Sequence, residues 1–392
     1  MAPLYRADRD RLANVPAAPG LYVHIPFCVS RCDYCAFATW EGMEDHIESY
    51  MDALISELRA KRSGDRSELP GSIYFGGGTP SFIPARHIAR VIEEAGNQAG
   101  TEVTVECNPE STDIEKLRIY MDAGVNRISL GLQSFSPQVL KALGRSHNPA
   151  DIFPVVEAIG EVGFDNYSID LIYGAAGESE SILEDTLCRV LSLSPAPVHI
   201  SAYALTVESG TRLAKDLSRH PDEDYQAGAY RLIDEMLLDA GMHWYEVSNW
   251  AKPGYYSRHN WNYWMQGEYI GLGCAAHSHR GSRRSWNAFN MGRYISSVRD
   301  GLDPVAGHED VTGELEINEA LELLLRTSLG VPTESLADTE QIELLYTDSN
   351  GIAMLTLEGR LLANQVAIRL DPSKVELGRI AQLQRQVPRS MD

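Results

Sequence analysis

The stretch LYVHIPFCVSRCDYCAF, residues 21–37, decides the fold. It begins with an apolar, β-branched and aromatic run that is typical of a buried strand, and Pro26 ends that run. Cys28, Cys32 and Cys35 follow within eight residues, in the loop directly after the strand. Because α/β proteins gather their chemistry at the carboxyl ends of parallel strands, the sequence predicts a functional site at this loop.

More strand-like runs follow up to about residue 250, each rich in β-branched or aromatic residues. Segments with helical periodicity separate them, most clearly at 43–58. Repeated β-α units predict a parallel sheet, either doubly wound or closed toward a barrel. The predicted strands are 21–25, 72–76, 102–106, 127–132, 167–172, 199–205 and 243–247.

Composition and charge exclude several classes of protein. The 392 residues carry 34 Lys and Arg against 55 Asp and Glu, a formal net charge of −21. Such acidity argues against binding nucleic acid by general phosphate attraction and against a polybasic membrane anchor. No apolar run is long enough to form an integral membrane segment. We therefore expect a cytoplasmic protein, whose six cysteines are ligands or core residues rather than disulfides.

Three clustered cysteines are an unusual ligand set. Structural zinc normally takes four ligands in paired spacings, and the sequence has no second CxxC to complete such a site. A [4Fe–4S] cluster is held by thiolates, so three cysteines would leave one iron open to an exchangeable ligand. A zinc-bound or metal-free loop is the alternative.

The CxxxCxxC spacing after the first strand resembles that of the radical S-adenosylmethionine (SAM) superfamily. The HIPFC lead-in and the GGGTP run at 76–80 are similar to those of oxygen-independent coproporphyrinogen oxidases. The resemblance implies an α/β fold with a partial (β/α)6 TIM-like barrel. It also implies a [4Fe–4S] cluster on Cys28, Cys32 and Cys35, SAM chelated to the open iron, and an electron donor.

The same resemblance implies a set of SAM contacts at the mouth of the sheet. Glycines let the backbone approach a ligand closely, carboxylates accept bonds from ribose hydroxyls or an ammonium, and arginine forks onto a carboxylate. Taken one at a time, such residues are more often turns, caps or surface charges. The implied contacts are Tyr22, Tyr34, Gly77, Gly78, Thr79, Glu106, Gln133, Arg145, Asp170 and Ala204.

Residue 37 separates two branches of this family. The oxidases carry a fourth cysteine two residues after the third, and here that position is Phe37. The CxF form is similar to the haem chaperone branch, which implies haem binding and delivery to apo haem proteins, with no catalytic residue assigned. One alternative is an oxidase that decarboxylates coproporphyrinogen III in porphyrin biosynthesis. The other is a radical SAM enzyme acting on an unrelated substrate.

Residues 259–264, HNWNYW, match the HNxxYW motif that is associated with haem in that branch. The match implies His259 as an iron ligand, with Asn260, Tyr263 and Trp264 also binding haem. A neutral imidazole suits haem iron, and aromatic rings offer flat area to a porphyrin. Without the match, a histidine among aromatic residues would be read as packing. His277 and His279 rank below His259 as ligands, and Cys274 is read as core.

The segment around this motif is locally basic. Between residues 258 and 299 there are six arginines and a single acid, Glu268. Arginine forks suit carboxylates, so we expect Arg280, Arg283 and Arg284 to contact haem propionates, with a solvated loop as the alternative.

Composition and the resemblance together predict four parts in the chain. After residue 305 a Leu-rich helical stretch leads into a strand-like run at 344–370, which predicts a small C-terminal α+β domain. The four parts are an N-terminal segment (1–19), a radical SAM core (20–250), a haem-binding segment (251–304) and the C-terminal domain (305–392).

We expect the protein to be a monomer or a homodimer.

Overall fold

The computed structural model describes residues 18–62, 69–145, 147–337 and 342–388. Most of the predicted N-terminal segment 1–19 lies outside the described residues. The strands are β1 (Gly20–Ile25), β2 (Phe27–Cys28), β3 (Trp40–Glu41), β4 (Ser72–Gly77), β5 (Glu102–Cys107), β6 (Arg127–Gln133), β7 (Tyr167–Tyr173), β8 (His199–Ala204), β9 (His243–Glu246), β10 (Asn249–Ala251), β11 (Tyr269–Leu272), β12 (His277–Arg280), β13 (Arg283–Asn287), β14 (Val305–Asp310), β15 (Val331–Pro332), β16 (Leu345–Thr347) and β17 (Ile352–Leu355).

Helices connect most of these strands. The α-helices are α1 (Ile47–Arg62), α2 (Ala85–Ala95), α3 (Ile114–Ala123), α4 (Pro137–Ala142), α5 (Ile152–Val162), α6 (Glu180–Leu191), α7 (Glu223–Asp239), α8 (Arg258–Trp264), α9 (Met291–Arg299), α10 (Glu314–Leu325), α11 (Leu357–Leu361), α12 (Ala363–Ala367) and α13 (Leu377–Gln384). Short 3-10 helices lie at Glu44–His46, Pro80–Phe82, Pro109–Ser111, Pro149–Asp151, Leu213–Lys215, Leu217–Arg219, Thr333–Ser335, Ile342–Leu344 and Pro372–Lys374.

One twelve-stranded sheet organises the molecule, in the order β14-β13-β12-β11-β1-β4-β5-β6-β7-β8-β10-β9. The seven central strands, from β11 to β8, run parallel, and antiparallel strands extend both ends. Within the described residues the sheet does not close on itself. The predicted α/β fold with a partial barrel is confirmed.

In the main sheet, the sequence predictions differ from the structure at one misplaced strand and at the strands β10–β14, which were not predicted. The six strands predicted between 21 and 205 are β1 and β4–β8, and all of them are parallel. The seventh prediction, 243–247, is β9, which instead pairs antiparallel with β10 at the sheet edge. The strand β11 pairs parallel with β1 and was not predicted.

The two faces of the central strands differ in polarity. Residues such as Val23, Ile73 and Val103 are fully buried in the main hydrophobic core together with helix residues. The alternate positions carry polar side chains, such as Tyr74 on β4 and Asp170 on β7, that line a cavity. Because side chains alternate along a strand, one sequence pattern supplies both an apolar outer face and a polar inner face.

The segment after residue 250 contributes strands to the main sheet and is also joined to α1 through a buried carboxylate. Glu57 of α1 is 2% exposed, and it accepts bonds from the Gly273 amide at 2.9 Å and from Asn287 Nδ2 at 2.7 Å. Glu57 Oε2 also accepts a bond from Tyr294 Oη at 2.7 Å, and Lys61 Nζ lies 2.7 Å from Glu57 Oε1. Every oxygen of the buried acid is therefore satisfied, as a stable core requires.

The C-terminal part contains a second hydrophobic core. Residues of α10, such as Leu321 and Leu324, pack there with the small sheet β15-β17-β16. The strand-like expectation for 344–370 is wrong after Thr356, whose hydroxyl accepts a bond from the Gly359 amide and caps α11. In the described part of the chain, no helix is long and apolar enough to cross a membrane.

Candidate functional site

A cavity of about 460 Å³ opens at the carboxyl ends of the central strands. The three clustered cysteines line it, and so do nine of the ten residues that the resemblance implied for SAM contact. The exception is Tyr22, whose hydroxyl is bonded to His24 Nδ1 at 3.0 Å. The predicted residues that line the cavity are Cys28, Cys32, Tyr34, Cys35, Gly77, Gly78, Thr79, Glu106, Gln133, Arg145, Asp170 and Ala204.

The cysteine sulfurs lie among hydrogen-bond donors. Thr79 Oγ1 donates to Cys28 Sγ at 3.6 Å, and Arg145 Nη1 donates to Cys32 Sγ at 3.5 Å. Burial raises the pKa of the Cys28 thiol to about 11. A thiol with such a pKa stays protonated at neutral pH unless a metal binds its sulfur, since metal binding favours the thiolate.

The donor set fits an iron–sulfur cluster better than a single ion. Among the described residues, no three His, Cys, Asp or Glu side chains are grouped to hold one metal ion. The cysteines of a [4Fe–4S] cluster bind different irons, so they need not converge on one point. Hydrogen bonds to the sulfurs, such as those from Thr79 and Arg145, are among the contacts that tune such clusters.

The glycine run after β4 allows close backbone approach to the cysteine loop. The φ angle of Gly77 is +115°, and a side chain there would collide with the His24 ring. A Cβ at Gly78 would lie 2.7 Å from the Phe27 carbonyl oxygen and 2.9 Å from Cys28 Sγ. Only glycine therefore fits at these two positions.

Two carboxylates share the inner wall of the cavity. Glu106 Oε1 accepts a bond from Tyr74 Oη at 2.7 Å, and Glu106 Oε2 accepts one from the Gly77 amide at 3.2 Å. Asp170 Oδ2 accepts a bond from Ser129 Oγ at 2.9 Å. Burial raises the pKa of Glu106 to about 7, with a further contribution from the Asp170 charge, and burial also raises the pKa of Asp170. A ligand that donates hydrogen bonds or carries positive charge would stabilise both carboxylates.

Gln133 ends β6 in an unusual conformation. Its φ is +61°, a left-handed value that a residue with a side chain seldom adopts, and the strand pairing shifts register beside it. Its Oε1 atom is buried and has no hydrogen-bond partner within the described residues. A buried acceptor without a partner beside a cavity is a feature that a ligand donor would satisfy.

Sequence reasoning missed several cavity residues. Asn108 accepts a bond from Arg145 Nη2 at 2.9 Å through Oδ1, and it lies in the ECNPE run after β5. Tyr74 lies two residues before Gly76 on β4, so strand alternation could have placed both on one face. Ser129 and Tyr203 also line the cavity, and their residue types alone did not indicate a place in the site.

The HNxxYW residues lie elsewhere, on α8, next to the amino ends of β4 and β5. His259 Nδ1 is hydrogen-bonded to Ser72 Oγ at 2.8 Å, and Nε2 to Tyr263 Oη at 2.8 Å. The His259 amide donates to Glu102 Oε1 at 3.0 Å. Burial lowers the pKa of His259 to about 3, so the imidazole is neutral. Iron ligation by His259 stays a prediction, and it requires one ring nitrogen to give up its present bond.

The other two motif residues have structural contacts. The Asn260 amide donates to Ser257 Oγ at the start of α8, and Trp264 packs against the C-terminal core. None of the four motif residues lines the cysteine cavity. Their predicted contacts with haem stay predictions.

The secondary ligand candidates are on or near β12. His277 is exposed, and its ring centroid lies 5.8 Å from that of Trp286. His279 Nδ1 lies 3.4 Å from the Gly267 carbonyl oxygen. Cys274 is fully buried in the main core, as predicted.

The predicted basic patch is balanced by nearby acids. Arg283 pairs with Asp310 at 2.9 Å, and Arg284 pairs with Glu309 at 2.9 Å and with Glu319 at 2.7 Å. Arg280 Nε lies 3.8 Å from a Glu268 oxygen. Contact between these arginines and haem propionates stays a prediction, and it requires the ion pairs to open.

The fold and the cysteine cavity define a radical SAM protein, and residues 22–189 match the Radical SAM superfamily. That superfamily implies a [4Fe–4S] cluster and SAM. The chain is 37% identical over 376 residues to the heme chaperone HemW of Mycobacterium tuberculosis, covering 91% of this chain and 95% of that protein. It is 31% identical over 369 residues to the heme chaperone HemW of Bacillus subtilis, covering 88% and 97%. The chain belongs to this HemW family.

A solved structure supports the architecture. The structure of coproporphyrinogen III oxidase (HemN) from Escherichia coli, a radical SAM enzyme, superposes with a TM-score of 0.79 over 93% of each chain, at 22% identity. At that identity the likeness establishes the fold alone.

Proposed function

We propose that this protein binds haem and delivers it to apo haem proteins, with a [4Fe–4S] cluster and SAM held in the cysteine cavity. The observation that carries the proposal is the similarity to heme chaperones over nearly the whole chain. Phe37 adds support, because it stands where the oxidase branch has a fourth cysteine, and its side chain is exposed at the rim of the cavity.

In this proposal Cys28, Cys32 and Cys35 hold the cluster. The bound cluster and SAM supply one-electron redox chemistry. The Thr79 hydroxyl and the Arg145 guanidinium donate to the cysteine sulfurs and so help to fix the cysteine loop. The cavity lies at the carboxyl ends of the strands, partly enclosed by the loop, which limits access of water.

The other cavity residues suit the polar parts of SAM. We assign the backbone of Gly77, Gly78 and Thr79 to the methionine end. The Arg145 guanidinium is assigned to its carboxylate, which requires Nη2 to give up its bond to Asn108 while Nη1 stays bonded to Cys32. The carboxylates Glu106 and Asp170 would accept bonds from hydroxyl or ammonium groups. The unpaired Oε1 of Gln133 is a further acceptor. Tyr34 and Ala204 would flank the ligand, whereas Tyr22 supports the site from behind the cavity wall.

Haem binding is assigned to the 251–304 segment, with His259 as the iron ligand. The imidazole is neutral, which is the form that binds iron. Binding would exchange the bond to Ser72 or Tyr263 for the bond to iron. Asn260, Tyr263 and Trp264 would contact the macrocycle or keep α8 in place. The 20–250 segment carries the cofactors, and the residues after 305 support α8 through the second core.

A haem titration tests this proposal. Protein loaded with its cluster under anaerobic conditions should give a saturable Soret band with one haem per chain. His259→Ala should weaken binding at least about tenfold, which corresponds to about 1.4 kcal/mol. His308→Ala is the matched control, because it removes an exposed histidine that lies outside the 251–304 segment. Full haem affinity in the His259 variant would exclude that ligand, and wild-type protein that leaves the Soret band of free haem unchanged would exclude the function.

A second assay separates the carrier from the oxidase. The protein is incubated anaerobically with coproporphyrinogen III, SAM and dithionite. We expect no vinyl-bearing porphyrin product. Formation of that product together with CO2 would favour the oxidase interpretation over the carrier.

A further inference from the structure

The strand β4 connects the proposed SAM site to the proposed haem ligand. Its inward-facing positions, two residues apart, are Ser72, Tyr74 and Gly76. Ser72 is bonded to His259, whereas Gly76 begins the glycine run at the cavity. Tyr74 lies between them and contacts both sites.

The hydroxyl of Tyr74 holds the carboxylate of Glu106. The Oη–Oε1 distance is 2.7 Å, and Glu106 Oε2 is held from the other side by the Gly77 amide. Both oxygens of the carboxylate are thus fixed relative to the glycine run. A Cβ at Gly76 would lie 2.9 Å from the Tyr74 ring and 3.0 Å from Glu106 Oε1, so the three groups are closely packed.

The ring of Tyr74 covers the imidazole of His259. The two ring centroids are 5.0 Å apart and the planes are inclined by 21°. Tyr22 stacks in the same layer, with its centroid 6.4 Å from that of Tyr74 and 6.4 Å from that of His259. This stack, together with the bonds to Ser72 and Tyr263, keeps His259 buried.

We infer that Tyr74 is a positioning residue for both ligands. Its hydroxyl orients Glu106 toward SAM, and its ring holds His259 in the buried position from which haem must release it. This inference rests on the proposed function. It predicts that hydroxyl and ring act separately, and that loss of the ring changes the two affinities in opposite directions.

The test compares Tyr74→Phe and Tyr74→Leu in cluster-loaded, full-length protein. SAM affinity is measured by isothermal titration calorimetry, and haem affinity by Soret titration without SAM. Tyr74→Phe should weaken SAM binding by about tenfold or more, because a bond to a charged group is lost, and should leave haem affinity within twofold. Tyr74→Leu should weaken SAM binding equally and tighten haem binding by about two- to tenfold. Tyr167→Phe is the matched control, since it removes the hydroxyl of a buried β7 tyrosine that does not line the cavity.

The outcomes are distinguishable. Wild-type protein that binds no haem or no SAM would refute the proposed function. Wild-type protein that binds both, with SAM affinity unchanged in Tyr74→Phe, would overturn the inference. A haem affinity of Tyr74→Leu that equals or is weaker than that of wild type would also overturn the inference. If Tyr74→Leu does not fold, the SAM affinity of Tyr74→Phe still decides the role of the hydroxyl, and the haem affinity of Tyr74→Met decides the role of the ring.

Discussion

Replacing Gly78 with alanine tests the close approach between the glycine run and the cysteine loop. The added Cβ would lie 2.7 Å from the Phe27 oxygen, 2.9 Å from the Ile25 oxygen and 2.9 Å from Cys28 Sγ. Ordinary van der Waals contacts of a Cβ begin at 3.4 Å. The three contacts are therefore too short by 0.5 to 0.7 Å.

The two carbonyl groups cannot move away individually. The Ile25 oxygen accepts a bond from the Gly78 amide at 2.8 Å, and the Phe27 oxygen accepts one from the Thr79 amide at 2.8 Å. The clash must displace the glycine run or the cysteine loop as a unit. We expect a loss of about 1–3 kcal/mol in the free energy of unfolding of the ligand-free protein, as for overpacking elsewhere. We also expect at least threefold less iron bound per chain after anaerobic reconstitution, since Cys28 is displaced.

The assays are urea denaturation followed by circular dichroism, and iron and sulfide analysis of reconstituted protein. Gly228→Ala is the control, because Gly228 lies within α7 and nothing stands within 4 Å of its added Cβ. That variant should gain up to about 1 kcal/mol from helix propensity and bind iron normally. Wild-type stability and iron content in Gly78→Ala would refute the geometry on which the cluster site is built.

Two further predictions concern buried acids. Glu57→Ala leaves the donors of Gly273, Asn287 and Tyr294 unpaired, so urea denaturation should show a loss of about 3–5 kcal/mol; a loss below about 1 kcal/mol would contradict the buried network. Burial raises the pKa of Glu106 from 4.5 to about 7, so the ionised acid destabilises the ligand-free fold as pH rises from about 4.5 to 7. The Glu106→Gln variant has no carboxyl group to ionise at this position. Its free energy of unfolding, compared with that of wild type, should therefore increase by about 2 kcal/mol between pH 5 and pH 8. Parallel pH profiles of the two proteins would contradict the raised pKa.

The sequence was sufficient for six of the seven parallel central strands and for most of the cysteine cavity. The parallel strands follow from short apolar runs separated by helical segments, and the carboxyl ends of parallel strands meet at one edge. Cys28 and Glu106 lie at or near such an end, and Asp170 lies within β7, so their convergence required no knowledge of distant contacts. The resemblance added the chemistry that we propose for these residues.

The contacts of α8 could not be predicted in the same way. His259 is bonded to Ser72, which is 187 residues away along the chain, and its amide is bonded to Glu102. The aromatic pattern indicates an apolar surface but does not identify the strands that it meets. The role of Tyr74 depends on the same long-range packing.

Arginine pairing is a similar case. The surplus of positive charge between 258 and 299 is real in the sequence, but the acids that pair with Arg283 and Arg284 come from β14 and α10. Arg284 alone pairs with Glu309 and Glu319. A count of charges along the chain could not predict that these side chains meet.

Haem transfer tests the central claim most directly. Cluster-loaded protein is saturated with haem, freed of excess, and mixed anaerobically with a twofold excess of apomyoglobin while the Soret region is recorded. The account predicts that the spectrum converts to that of myoglobin and that the protein can then be reloaded with haem. A protein that takes up no haem, or that keeps all its haem in the presence of the acceptor, would contradict the account.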